Sequence, residues 1–395
     1  MSGSTRSYEM ARRLVESGHE VHMITSWRES HHSEEWFTQM VDGIHVHWLP
    51  VFYANSMGFF SRVRAFFRFA LAAAFKSASF RDADVIFATS TPLTIALPGV
   101  YASRRLGIPM VFEVRDLWPE LPIAIGALRN PLLCVAARWL ERFAYRNAER
   151  IVALSPGMKE GVVRAGYPTR SVSIIPNSAD LALFNPEGYR PAAFEQRYPE
   201  LAGCKLVVYA GTLGRVNGVG YLVDIAAECL ILMPECRFAI FGQGQERDAV
   251  LDKASQLGVL GRNLYLYEPV SKNEMPQVLG ASDIAVSLFI DLKPMWANSA
   301  NKFFDALASG TAVALNYGGW QATLIEESGA GLVLSTHDPR AAAASLVTFL
   351  KDEPRLRIAG QQALRLARER FDRDRLAAEL EQVLKVATEK YCKHE

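Results

Sequence analysis

Short apolar runs alternate with helix-length segments along the whole chain, and this alternation constrains the fold more than any other feature. In the first half the runs are Glu20–Thr25, Asp84–Thr89, Pro109–Val114, Arg150–Leu154 and Ser173–Ile175. The second half carries Lys205–Ala210, Arg237–Phe241, Leu264–Tyr267, Asp283–Phe289, Thr311–Leu315 and Gly331–Leu334. Strands that alternate with helices predict an α/β fold with parallel sheets. Each half has its own series, as expected for two Rossmann-like parallel-sheet domains facing a cleft. Turn residues punctuate the series; Gly18, for example, follows MARRLVES where a helix-ending glycine belongs.

Between about Pro176 and Leu201 the periodicity breaks. That stretch holds four prolines and reads as an interdomain linker. The expected domains are 1–183, 184–370 and a helical tail over 371–395. One element is missing from the pattern. A Rossmann-type domain opens with a strand, a Gly-rich turn and a helix. Here the turn Ser2-Gly3-Ser4 and a helix from about Arg6 come first. The first strand of the N-terminal domain is therefore expected to be absent, through a start placed downstream of the true one or through loss of the strand.

Composition excludes several classes. Apolar residues make up 50% and charged residues 22%, which is ordinary for a globular chain. Lys+Arg is 43 against 42 for Asp+Glu, so no basic excess points to nucleic acid. Five cysteines, none in a C-x-x-C pair, suit neither a disulfide framework nor a structural zinc site, and fit a reducing, cytoplasmic setting. No apolar run is long enough to span a bilayer.

Four stretches could carry chemistry. In KLVVYAGTLGRVNGVGYLVDIA a strand runs into Gly211-Thr212-Leu213-Gly214-Arg215, with a helix from near Val219. Glycines let backbone N–H groups approach an anion, and Arg215 could clamp phosphate oxygens. The plainer reading is a tight strand–turn–helix with a solvated arginine. In FAIFGQGQERDAV the glycines Gly242 and Gly244 follow a strand, but Arg247 occupies the third position of a dinucleotide fingerprint. A strand–loop–helix turn lining a cleft is the favoured reading there. In ANSANKFFDALASG, Lys302 and Asp305 share a helix face. The lysine suits a diphosphate and the carboxylate suits ribose hydroxyls, while a local surface ion pair is the alternative. In PMVFEVRDLWPELP, Arg115, Asp116, Trp118 and Glu120 directly follow a strand, where ligands of parallel sheets bind. Asp116 could meet an acceptor hydroxyl and Trp118 a sugar ring, or the loop could simply pack and pair its charges.

The region from Gly43 to Arg81 contains no Asp or Glu. On a helical wheel Phe59, Phe60, Val63, Phe66, Phe67, Ala70 and Leu71 fall on one half. Arg62, Arg64, Arg68 and Lys76 fall on the other, with Phe69 and Phe75 among them. This composition predicts an interfacial helix over 59–80 that contacts an anionic membrane surface; a core-facing helix with a basic outer face is the alternative. Asp82-x-Asp84, His31-His32 and His45-x-His47 lack convergent ligands, and no metal site is expected. His45 and His47 read as alternate residues of a strand.

Taken together, GSTRSYEMARRLVESGHEVHMIT, FEVRDLWPE, ERIVALSPGM, IIPNSADLALFNP, GTLGRVNG and NKFFDALASG, in this order, resemble the retaining GT-B glycosyltransferases of family 4. The chain is most similar to the branch with fucosamine transferases of surface-polysaccharide and lipopolysaccharide assembly in bacteria. The resemblance implies a UDP-sugar donor on the C-terminal domain, an acceptor on the N-terminal domain, no obligatory metal and a last helix that crosses back to the first domain. The family's phosphate-binding arginine matches Arg215. Asn217 replaces the lysine that often follows it, which shifts leaving-group charge to Lys302. The second acid of the family's E-x7-E pattern matches Asp305, and the first falls on Ala297. FEVRDLWPE has no match for the catalytic-region histidine of many relatives, and Asp116 is the nearest polar candidate. By the same resemblance Arg215, Lys302 and Asp116 are the catalytic candidates. Gly211, Thr212, Leu213, Gly214, Asn217, Gly242, Pro269, Val270, Asn301 and Asp305 would line the donor site, and Gly3, Ser4, Arg115, Trp118 and Glu120 the acceptor side. The expected activity moves a hexose-type sugar from UDP-sugar to a lipid-linked or other saccharide, at the inner face of the cytoplasmic membrane. A nucleotide-sugar epimerase or a non-catalytic nucleotide-sugar-binding protein on the same fold is the alternative.

Overall fold

The computed structural model describes residues 6–27, 35–51, 59–90, 92–178 and 180–391. The strands are β1 (His22–Trp27), β2 (Phe37–Val41), β3 (Ile44–Pro50), β4 (Ile86–Thr89), β5 (Met110–Val114), β6 (Arg150–Ala153) and β7 (Val172–Ile174). They continue with β8 (Lys205–Ala210), β9 (Cys236–Phe241), β10 (Leu264–Tyr267), β11 (Ile284–Ser287), β12 (Ala312–Leu315) and β13 (Gly331–Val333). The first helices are α1 (Arg6–Glu16), α2 (Phe59–Ser77), α3 (Ala96–Leu106), α4 (Glu120–Ala124), α5 (Pro131–Arg146) and α6 (Pro156–Arg164). Then come α7 (Pro191–Arg197), α8 (Gly220–Leu232), α9 (Arg247–Gln256), α10 (Met275–Gly280), α11 (Asn301–Ala308), α12 (Trp320–Ser328), α13 (Pro339–Lys351), α14 (Glu353–Arg370) and α15 (Arg373–Tyr391). The chain forms two compact units, one of residues 1–176 with 374–395 and one of 177–373.

The first unit carries two sheets, ordered β1-β3-β2 and β4-β5-β6-β7. Every pairing is parallel except β2 with β3. That hairpin turns on Asp42-Gly43, both at positive φ (48° and 80°), as a two-residue turn demands. The apolar-run reading missed both its strands, although Asp-Gly between alternating residues was a legible hairpin signal. His45 and His47 do sit at alternate positions of β3. Among the described residues no strand pairs with the free edge of β1 or of β4. Helix α1 ties the two sheets together: Ala11 packs with Ile44 and Val46, and Met10 with Val111 and Val152. Beside it, Arg6 is buried against Glu113 (2.8 Å) and the carbonyls of Ile175 and Pro176, while Thr89 donates to the other Glu113 oxygen. Leu376, Ala377, Leu380 and Leu384 of α15 complete this core.

Residues 177–201 are not a linker. They open the second unit, because Phe194, Tyr198 and Leu201 are buried against Leu206, Val208 and Phe241 of the sheet. Pro186, Pro191 and Pro199 break the apolar periodicity yet each starts a short helical turn, where a missing N–H costs nothing. The division at 176/177 thus precedes the one expected at 183/184.

Helix α2 forms, and its inner face is made of alanines. Ala65, Ala70, Ala73 and Ala74 are buried, while Phe67 and Leu71, assigned to the apolar half, are exposed with Phe75, Arg64 and Arg68. Small alanines let α2 lie close to α3 and to Leu49 and Val51, which pushes the large side chains outward. The side chains of Phe59, Phe60 and Arg62 lie outside the described residues. Among the described residues no helix is long and apolar enough to cross a membrane.

The second unit holds one parallel sheet ordered β10-β9-β8-β11-β12-β13. Its core of Val207, Phe238, Ile240, Ile284 and Val286 packs under α8 and α13.

Candidate active site

Strand order reverses between β8 and β11. From β8 the chain winds outward through β9 and β10, and from β11 through β12 and β13. Ligands of open parallel sheets bind beyond the carboxyl ends of the strands at such a switch point. The loops leaving β8 and β11 meet there: Ile290 N–H donates to the Val216 carbonyl at 3.0 Å. The β11 loop is pinned further on. Asn316 bonds both the N–H and the carbonyl of Phe289, and Trp320 Nε1 donates to the Asn298 carbonyl at 2.8 Å. These bonds fix where α11 starts.

Lys302, in the first turn of α11, reaches across to β8. Its Nζ donates to Tyr209 Oη at 2.9 Å and lies 4.3 Å from the Tyr209 ring centre. Tyr209 in turn donates to the Thr212 carbonyl at 2.8 Å. No carboxylate among the described residues pairs with Lys302. Protein packed around it strips water from the ammonium and lowers its pKa to about 7. One turn later Asp305 is half-buried, and burial raises its carboxyl to about 7 against the opposing pull of Arg373 and Lys272. Lys302 and Asp305 do not pair with one another, so the surface ion-pair reading of this helix does not hold. Among the described residues neither side chain forms an ion pair within 4 Å, and a cation and a carboxylate held in this way on one helix face are chemically suited to an anionic, hydroxyl-bearing ligand.

Arg215 is exposed on a short turn (Arg215–Asn217) and forms no ion pair among the described residues. The backbone donors of its loop divide. Gly211 N–H donates to Phe241 O (2.9 Å) and Leu213 N–H to Gln243 O (2.8 Å), so neither is available to a phosphate, contrary to expectation. A strand-like ladder with the β9 loop consumes them. Among the described residues the Thr212 and Gly214 N–H groups have no such acceptor. Gly211 itself flanks Lys302, whose Nζ would lie 3.4 Å from an added Cβ. Asn217 closes the turn by donating its N–H to Gly214 O at 2.9 Å. Gly242 packs tightly on the β8 loop: a Cβ there would stand 2.0 Å from the Gly211 carbonyl oxygen. Asn301 is exposed beside Lys302 at the start of α11. Pro269 and Val270 follow β10, two strands removed from β8, and Val270 packs into the cluster around Tyr198.

Sequence reasoning missed Tyr209. The signal was a hydroxyl in an otherwise apolar run, since a buried tyrosine must find a partner for it. It also missed Arg373 and Lys272, whose nearness to Asp305 depends on tertiary folding.

In the first unit, Arg115, Asp116 and Trp118 lie on the loop after β5, half-buried, with Arg115 N–H held by Ser90 Oγ at 2.9 Å. Glu120 is exposed and paired with Arg164 at 3.3 Å. Gly3 and Ser4 lie outside the described residues, as do His31 and His32. His47 is a satisfied strand histidine: it meets Thr38 Oγ1 at 2.8 Å and His22 Nδ1 at 3.0 Å, and burial lowers its pKa to about 4. Among the described residues no group of three or more His, Cys, Asp or Glu side chains is placed to hold a metal ion.

Residues 3–178 match the family model of a glycosyl transferase 4-like domain, and residues 204–352 that of glycosyl transferases group 1. The D-inositol 3-phosphate glycosyltransferase of Thermobispora bispora is 26% identical over 74% of this chain and 68% of its own. The "Probable glycosyltransferase WbjE" of Pseudomonas aeruginosa is 25% identical over 67% of this chain and 65% of its own. Among solved structures, Anabaena Alr3699/HepE in complex with UDP and glucose superposes with a TM-score of 0.68 at 18% identity, covering 87% of each chain. The fold and the paired domain models define a glycosyltransferase with the GT-B fold. Within that class the chain is of the family 4 type.

Proposed function

We propose that this glycosyltransferase moves a hexose-type sugar from a UDP-sugar to a lipid-linked saccharide with retention at the anomeric carbon, in surface-polysaccharide assembly of the kind fucosamine transferases serve. The observation that carries the donor half is Lys302 at the switch point, without a carboxylate partner among the described residues, with Asp305 one turn on and the Thr212 and Gly214 N–H groups beside it without a backbone acceptor among those residues. UDP and glucose in the Anabaena protein of the same fold support it.

Departure of the diphosphate is the charge-generating step. Arg215 and Lys302 would meet that charge, and preorganised cations in a water-poor site act most strongly where charge develops. Lys302 needs no reorganisation, because Tyr209 already holds it. Asp305 would accept ribose hydroxyls. The first unit would take the acceptor, with Asp116 nearest the reacting hydroxyl and Trp118 against a sugar ring. Glu120 is occupied by Arg164 and would contribute only after leaving that pair.

A lipid-linked acceptor brings the enzyme to an anionic bilayer surface. On α2 the exposed Phe67, Leu71 and Phe75, with Arg64 and Arg68 beside them, support that contact.

Calorimetry across a panel of UDP-sugars, then consumption assays with lipid-diphosphate sugars, tests this reading. Donor binding followed by acceptor-dependent transfer is the expected result. Conversion of the donor without acceptor would make the protein an epimerase, and binding without any consumption would make it a non-catalytic receptor.

A further inference from the structure

Helix α5 is amphipathic with its large apolar residues outside. Asn130 caps it through the N–H groups of Leu132 and Leu133, and Ala144 and Tyr145 face the core. Leu132, Val135 and Trp139 are 79%, 66% and 61% exposed. Arg138, Arg142 and Arg146, four residues apart, form an exposed row along the same face. Trp139 stacks on Phe143, with ring centres 5.3 Å apart. A groove of about 500 Å³ runs between the arginine row and Val135, Trp139 and Phe143. None of these three arginines forms an ion pair among the described residues. The helix's acid, Glu141, turns inward beside Tyr145, where burial raises its carboxyl to about 7.

This face continues into α2. Helix α3 packs between α2 and α5. Tyr101 of α3 meets Phe75 of α2 edge-on at 5.8 Å, and Arg104 of α3 lies over Phe143 of α5 at 5.9 Å. Contacts of aromatic and basic side chains thus join α3 to α2 on one side and to α5 on the other.

We propose that the outer face of α5 is a second membrane-docking surface, in which Arg138, Arg142 and Arg146 bind anionic phospholipid headgroups and Leu132, Val135 and Trp139 enter the interfacial zone. The proposal rests on the membrane-acceptor reading above. Charge decides the partner: a row of three exposed guanidinium groups that forms no ion pair among the described residues, with Glu141 of the same helix half-buried behind it, suits a phosphate-bearing surface. The apolar residues decide the rest. Aliphatic side chains gain by leaving water for the acyl boundary, and tryptophan favours the headgroup level. A nucleic acid would use the arginines but not Leu132 and Val135.

The test uses the full chain and vesicles of phosphatidylcholine with brominated acyl chains, with and without phosphatidylglycerol. Trp139 emission is isolated as the component lost in Trp139→Phe. It should be quenched only by vesicles containing phosphatidylglycerol. Reversing Arg138, Arg142 and Arg146 to Glu should weaken partition at least roughly a hundredfold, since each basic residue near such a surface counts for about a factor of five. These positions are exposed, and an unchanged thermal melt checks the fold. Arg64→Glu with Arg68→Glu should weaken partition while leaving Trp139 quenched in the bound fraction. Vesicles that capture the protein with Trp139 unquenched would overturn the α5 proposal and leave docking to α2. No capture at all would overturn both. Binding of single-stranded RNA lost in the triple variant, with no vesicle capture, would assign the face to nucleic acid instead.

Discussion

Lys302 Nζ stands 2.9 Å from Tyr209 Oη and 4.3 Å from the centre of the same ring. One buried side chain thus accepts the ammonium's hydrogen bond and offers it a π-face. Neither contact neutralises the charge. The ammonium is positioned but not satisfied, which is the state in which a group binds an incoming anion.

Removing either cation should slow turnover without unfolding the protein. Lys302→Ala and Arg215→Ala should each lower kcat roughly 10²–10³-fold, the usual loss for a preorganised group facing developing charge. Tyr209→Phe should cost less, since Lys302 keeps its place over the ring. Steady-state kinetics with matched thermal melts checks this. Wild-type turnover in either alanine variant would return that residue to a solvated surface role.

UDP affinity should depend on pH through two opposing groups. Lys302 binds the diphosphate in its charged form, so its contribution is full below pH 7 and fades as pH rises past that value. Asp305 accepts hydroxyl hydrogens as a carboxylate, so its contribution grows as pH rises through about 7. Calorimetry on Asp305→Asn should therefore show affinity that only falls with pH, and on Lys302→Ala affinity that only rises. Identical profiles in both variants would refute the pairing of roles.

Turnover should survive chelation. Arg215 and Lys302 supply the positive charge that a metal ion would otherwise bring to the diphosphate. Activity that vanishes in EDTA and returns with Mn²⁺ would contradict this.

Gly242→Ala should destabilise the second unit. The new Cβ would start 2.0 Å from the Gly211 carbonyl, so the β8 and β9 loops must part. Overpacking of this kind costs roughly 1–3 kcal/mol. A lower melting temperature with weaker UDP binding is the expected result, and an unchanged melt would mean that the loops separate freely.

The apolar runs located most strands, because parallel strands buried on both faces must be apolar throughout, and that shows in one dimension. They missed the β2–β3 hairpin, whose strands mix polar and apolar residues. The prolines of 176–201 signalled a break in periodicity, and only the burial of Phe194 and Tyr198 made that break part of a domain. On α2 the wheel placed apolar and basic residues on opposite halves, while burial of the alanines left Phe67 and Leu71 exposed with Arg64 and Arg68.

The candidate site divides in the same way. The sequence by itself determined that Gly211–Arg215 follow a strand, that Lys302 and Asp305 share one helix face, and that Gly242 sits in a turn, because spacing fixes local geometry. The tertiary structure decided that Lys302 meets Tyr209, that the Gly211 and Leu213 donors are consumed by the β9 loop, and that Asp305 lies within the field of Arg373. These are contacts between residues tens of positions apart, created by the order of strands in the sheet. The raised and lowered pKa values follow from the same cause, since desolvation is a property of packing in three dimensions and leaves no trace in the order of residues.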